Sequence, residues 1–196
     1  MRNVVGNWQV APIYTYESPE YATVLSGVNS NLNGDNGSAI SRAIVNPNGV
    51  KGTGSSVTAV YNPALVGNCP SGVTKCNGNL VGYTAINPNA YYIQAGKGTL
   101  PNAQRNTLPI RPINNFDLSA FKRITVKEHY SFQFGAQAFN VLNHAQYIPG
   151  TVDNVNATSY TASYNFQTVG SSFFNHPEKQ FLNNARTMQL SGKITF

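Results

Sequence analysis

Hydrophobic and polar residues alternate with a period of two in four stretches of the chain, and each alternation gives an extended strand one apolar and one wet face. The cleanest is HYSFQFGAQAFN, where Tyr130, Phe132, Phe134, Ala136 and Ala138 alternate with Ser131, Gln133, Gly135 and Gln137. In NNARTMQLSGKITF, Met188, Leu190, Gly192, Ile194 and Phe196 oppose Gln189, Ser191, Lys193 and Thr195. In NFDLSAFKRI, Phe116, Leu118 and Ala120 face away from Asp117, Ser119 and Arg123, with Phe121 out of pattern. WQVAPIYTY puts Trp8, Val10, Tyr14 and Tyr16 on one side, although Pro12 withholds a ladder donor. These patterns predict strands over about residues 8–25, 113–124, 129–142 and 185–196, and an all-β fold of antiparallel, up-and-down strands.

The connections differ sharply in length. The second and third strands are joined by little more than TVKE, whereas long loops occupy residues 27–112 and 143–184. Between Gly27 and Pro112, 39 of 86 residues are Gly, Asn, Pro or Ser, which favour turns and predict at most a few short strands there. All ten Phe residues lie at or after Phe116, so the composition shifts where the second strand begins. Alternating short and long connections are the pattern of a transmembrane barrel, whose short turns are periplasmic and whose long loops are outside. With the short turn in the periplasm, Trp8, Tyr130 and Phe196 fall at that interface as part of an aromatic girdle, and Phe132, Phe134, Met188, Leu190 and Ile194 face lipid. A soluble or secreted β-sandwich that binds carbohydrate or a surface partner explains the alternating residues equally well, but not the alternating connections.

Composition narrows these readings. A chain of 196 residues suits one domain. Only 10% of its residues are charged, yet mean hydropathy is −0.26, so uncharged groups carry the polarity. Asn alone occurs 26 times, and scarce Glu, Lys, Leu and Met leave long helices poorly supported. The net charge of +6 and pI near 9.4 raise nucleic acid as a partner. The bases are spread from Arg2 to Lys193, with Lys122, Arg123 and Lys127 the tightest group, so no nucleic-acid binding is expected. No apolar run reaches the ~18 residues of a membrane helix, and Met1-Arg2-Asn3 opens no signal peptide. The chain therefore reads as a soluble cytoplasmic protein or as a piece of something longer.

The runs NWQVAPIYTYESPEYATVLSG, NAQRNTLPIRPINNFDLSAFKRI, FQFGAQAFNVLNHAQY and NARTMQLSGKITF together resemble the C-terminal barrel of TonB-dependent outer-membrane receptors. The nearest flavour is the Oar-like group, whose members carry a carboxypeptidase-regulatory-like domain at the N-terminus. The resemblance implies a bacterial outer-membrane transporter with a barrel of about 22 strands, a plug, and a ligand of the siderophore, carbohydrate or peptide class. It also implies, as partners, outer-membrane lipid, the rest of the barrel and plug, the TonB system and the barrel assembly machinery. No plug or N-terminal domain is expected within this chain, and four strands fall short of the roughly eight that close a small barrel. On this reading residues 1–196 are a C-terminal barrel segment. In the family the terminal assembly signal often sets its glycine at a different spacing from the last aromatics than Gly192 has here.

Little in the chain suggests chemistry. Cys69 and Cys76 in CPSGVTKC could form a metal site, a redox pair or a small disulfide; their spacing misses CxxC, and a disulfide in an exported loop is the expectation, with free thiols as the alternative. NSNLNGDNGS alternates oxygen ligands but lacks the glycine register and terminal Glu of a calcium loop, and reads as a turn. His129, His144 and His176 are too scattered for a ligand set. Asp117, Arg123 and Arg186 read as charges on the polar face, solvated or against a plug. With no nucleophile elbow, paired carboxylates, phosphate loop or nucleotide fingerprint, neither catalysis nor a cofactor is expected.

Overall fold

The computed structural model describes residues 5–30, 41–126, 129–147, 165–181 and 183–196. Its strands are β1 (Trp8–Glu17), β2 (Tyr21–Ala22), β3 (Ile44–Val45), β4 (Val50–Ser55), β5 (Val57–Tyr61), β6 (Leu80–Ala85), β7 (Ala90–Ile93), β8 (Leu108–Pro109), β9 (Ile113–Val126), β10 (Tyr130–Phe139) and β11 (Thr187–Thr195). Helix is confined to short pieces, among them 3₁₀ turns at Pro63–Asn68 and Pro177–Lys179, so the fold is all-β and mostly antiparallel. Residues 127–128 of the TVKE turn, residues 31–38 of the calcium-like run and residues 148–164 of the second long loop lie outside the described residues.

The chain divides into two compact units. The first comprises Met1–Pro19, Arg111–Ile148 and Leu182–Phe196 and holds one antiparallel sheet in the order β1-β9-β10-β11. Its register carries the alternation across all four strands. Val10, Ala120, Ala136 and Leu190 form one cross-strand row, and Trp8, Lys122, Phe134 and Gly192 another. The reverse face carries Ser119, Gln137 and Gln189 in one row and Arg123, Gln133 and Lys193 in another. β1 and β11 each have a single neighbour, so the sheet is open at both edges among the described residues. Pro12 lies on such an edge, where alternate backbone donors have no ladder partner to lose.

Phe121, the residue that broke the apolar pattern of its strand, lies on the polar face opposite Gly135. A Cβ built on Gly135 would stand 2.6 Å from Phe121 Cδ1 and would also meet Ser191 Oγ. The ring therefore occupies the space that the missing side chain leaves, and joins β9 to β10 as a cross-strand pair.

The second unit comprises Glu20–Ile110 and Pro149–Phe181. It holds a β2-β8 pair, a β3-β7-β4 sheet in which β4 runs parallel to β7, and a β5-β6 hairpin. The hydrophobic cluster among the described residues lies wholly here. Ala22, Val24, Ala43, Tyr92, Ala103, Leu108 and Ile110 from the first connection close on Phe166, Val169 and Phe174 from the second. Backbone bonds from Leu25 N–H to Gln167 O (2.9 Å) and from Val169 N–H to Leu25 O (2.8 Å) tie the two segments. The region read as a long loop with a few short strands is thus a folded body. The first strand, expected to reach residue 25, ends at Glu17 before Ser18-Pro19-Glu20, because Pro19 has no N–H to continue a ladder; Tyr21–Ala22 pair instead with β8 in the second unit.

Candidate functional site

In the first unit, neither face of the sheet holds a hydrophobic core. Along one face Val10 and Tyr14 (61% each), Phe134 (56%), Met188 (68%), Leu190 (80%), Ile194 (63%) and Phe196 (94%) are open, and Trp8 and Tyr130 are more than half exposed. Phe132 is half-buried between its cross-strand partners Ile124 and Ile194. These residues share one face by register, so they form a contiguous apolar surface of a size that water-soluble monomers rarely expose. Tyr130 pairs with Val126, and Phe196 follows Thr195, the partner of Ser131, so these two aromatics stand at one level. Trp8 stands level with Phe134, four residues further along the ladder.

Lys122 belongs to this apolar face as well. Its Nζ donates to the Gly6 carbonyl and sits 5.1 Å from the Trp8 ring centroid, so backbone oxygen and π-face take the place of water around the charge.

The opposite face is a hydrogen-bonded polar lining. Asp117 accepts from Asn115 Nδ2 (2.9 Å) and from the Asn140 N–H (2.8 Å), and Gln137 donates to Ser119 (3.2 Å). Arg123 reaches Ser131 Oγ at 3.4 Å. Buried Asn140, at positive φ, ends β10: its Nδ2 donates to the carbonyls of His144 (3.0 Å) and Asn184 (2.6 Å), and its Oδ1 accepts from His144 N–H (2.9 Å). One side chain thus fixes where the second long connection leaves the sheet and where it returns to β11. Arg186 takes part through its backbone N–H, which donates to Asn143 Oδ1 (3.2 Å).

In the second unit Cys69 and Cys76 are joined by a disulfide, with Cα atoms 5.7 Å apart, between β5 and β6. Asn79, fully buried, donates from Nδ2 to Thr74 O (2.9 Å) and accepts from Cys76 N–H (2.9 Å), which shapes the disulfide loop from inside. His176 Nδ1 lies 2.6 Å from Glu178 Oε1 on the surface. Among the described residues no three His, Cys, Asp or Glu converge as a metal site.

Two adjoining clefts that the sequence did not disclose flank Tyr91 and Tyr92. One, of about 490 Å³, is lined by Lys51, Gly52, Leu108, Pro109 and Asn175, and the other, of about 430 Å³, by Val45, Pro47, Asn102 and Gln104. Thr107 borders both. Tyr92 is buried and donates to Thr107 O (3.2 Å) and Oγ1 (3.0 Å), and Tyr91 packs edge-on against it at 4.8 Å.

Burial raises the Tyr92 pKa above its ordinary 10.0; the Thr107 hydrogen bond opposes this, and the neighbouring Tyr91 adds to it. A raised pKa means that the neutral phenol is favoured by folding, so its contribution is constant below pH 10 and is lost as pH rises through the higher folded value. The stability of the second unit, followed by hydrogen exchange of β7, should therefore fall above pH 10 more in the parent protein than in Tyr92→Phe. Parallel alkaline profiles would show that Tyr92 does not carry the effect.

A family profile described as outer membrane beta barrel domain matches residues 1–189. No curated protein matches the chain, and neither does any solved structure.

Proposed function

This chain belongs to the outer membrane beta barrel domain family, and on that footing we propose that it supplies part of the wall and the outward-facing ligand-capturing body of a TonB-dependent receptor for a bulky ligand. One observation carries the reading. Both long connections leave the sheet at the same end, since Glu17 pairs with Ile113 and Phe139 with Thr187, and the segments they contain share one hydrophobic core. A barrel that needed only to span a membrane would have no use for connections that build a core of their own, whereas a receptor uses its long loops to hold its ligand before transport.

On this reading the apolar face contacts lipid, the polar face lines the lumen, and the Val126–Tyr130 turn is periplasmic. The open edges of β1 and β11 await further strands, because an unpaired edge in hydrocarbon leaves backbone donors and acceptors unsatisfied. The resemblance of the four strand-bearing runs to Oar-like receptors supports the energy coupling through TonB, and the barrel assembly machinery would insert the protein.

Thiol labelling on intact cells tests the orientation. An impermeant maleimide should label Cys69 and Cys76 after mild reduction and leave them unlabelled before it. Labelling only after the outer membrane is permeabilised would refute an outward-facing second unit.

A further inference from the structure

We infer that the paired clefts around Tyr91 bind an acidic oligosaccharide, a short sugar chain bearing carboxylate groups; this rests on the receptor reading above and gives it a ligand class. The first ground is a rigid aromatic platform. Tyr91 is half-buried, its ring is set by the edge-on contact with Tyr92, its N–H donates to Thr53 Oγ1 (3.2 Å), and its carbonyl accepts from Asn46 N–H (2.8 Å). A ring held in one orientation offers its electron-rich face to the C–H side of a sugar at little entropic cost.

The second ground is the polar complement. Asn102 Oδ1 is engaged by Val45 N–H (2.7 Å), which leaves its Nδ2 to donate; Asn175 Nδ2 is engaged by Gly52 O (2.9 Å), which leaves its Oδ1 to accept. With the exposed Gln104 amide, donors and acceptors stand on both sides of the platform, as hydroxyl groups require.

Charge then separates acidic from neutral sugars. Lys51 lines the larger cleft and is exposed. Between Asp35 and Asp117 there is no acidic residue, against Arg42, Lys51, Lys75, Lys97, Arg105 and Arg111. The other seven bases are matched by the seven acids of the chain, so its whole net charge of +6 resides in this stretch. Arg111 lies in the first unit, and the second unit as a whole carries six bases against Glu20, Asp35, Asp153 and Glu178, a net +2 that favours anions there. Each cleft falls within the usual range of ligand sites, roughly 300–1,000 Å³, and their shared wall of Tyr91, Tyr92 and Thr107 lets one chain occupy both.

The test is calorimetric titration of the full chain in detergent with a galacturonate oligosaccharide, a neutral glucan of equal length, and citrate. Galacturonate should bind best, and more weakly as salt is raised. Tyr91→Ala should weaken binding about three- to tenfold, and the surface change Lys51→Gln, which leaves the core untouched, should abolish the preference over the glucan. Equal binding of citrate, equal binding of the glucan, or indifference to both substitutions would overturn the inference. The receptor reading fails separately: galacturonate that binds in detergent but is not taken up by energised cells would remove transport and leave the cleft assignment standing.

Discussion

Leu190→Arg is expected to destabilise the membrane-inserted protein by about 2–4 kcal/mol, the cost of a lipid-facing arginine near the bilayer midplane. Leu190 lies in the row of Val10, Ala120 and Ala136, midway along the apolar face, and is 80% exposed. The adjacent Gln189 pairs with Gln137 on the polar face, so Gln189→Arg adds the same charge to the same strand but on the face proposed to line the lumen. The pair is informative because the two variants add the same charge at adjacent positions of one strand. Urea unfolding from lipid vesicles and the level of folded protein in outer membranes should separate the two variants. Equal losses would mean that both faces meet the same medium, and the assignment of lipid to one of them would fall. Deleting Phe196, at the end of that strand, should lower the outer-membrane level through faulty assembly although little contact is lost; an unchanged level would mean that the terminal aromatic is no part of an assembly signal.

Phe166→Ala should cost about 3–5 kcal/mol, as removal of a buried aromatic ring does, and the loss should fall on the second unit. Phe166 is 2% exposed, packs edge-on to Phe181 at 5.2 Å, and lies in the cluster with Val24 and Leu108. Its N–H donates to Gln180 Oε1 (2.8 Å) and its carbonyl accepts from Asn175 N–H (2.9 Å), so collapse there also disturbs a residue of the Tyr91 clefts. Protease added outside the cell should then cut within residues 20–110, far from the substitution in sequence, while heat-modifiable mobility of the barrel persists. Protection of that segment in the variant would show that the first connection folds without the second.

The spanning strands were legible because period-two alternation is a local property of ten residues or so. Phe134 and Ala136 declare their face without reference to any other strand. Phe121 was opaque for the opposite reason: its position makes sense only beside Gly135, and nothing in NFDLSAFKRI announces a glycine across the ladder. The second unit was hidden by distance and by size. Three of the seven cluster residues from the first connection are small, Ala22, Ala43 and Ala103 among Gly- and Asn-rich sequence, and the rings they close on, Phe166 and Phe174, lie beyond two intervening strands. A signal for the clefts was present but is an absence, the run without acids from Asp35 to Asp117. Lys122 was legible by parity with Leu118 and Ala120, yet its neighbours Arg123 and Lys127 drew it into a basic group.

The four-residue offset between Trp8 and the Tyr130–Phe196 level bears on how the strands lean. If these aromatics share one membrane interface, the boundary shifts by about 13 Å along the strand direction between β1 and β10 and not at all between β10 and β11, an average taken over three strands or about 14 Å. That ratio corresponds to strands inclined by roughly 40° to the membrane normal, within the range of transmembrane barrels. On that condition alone the register would set the inclination at which neighbouring strands join β1 and β11.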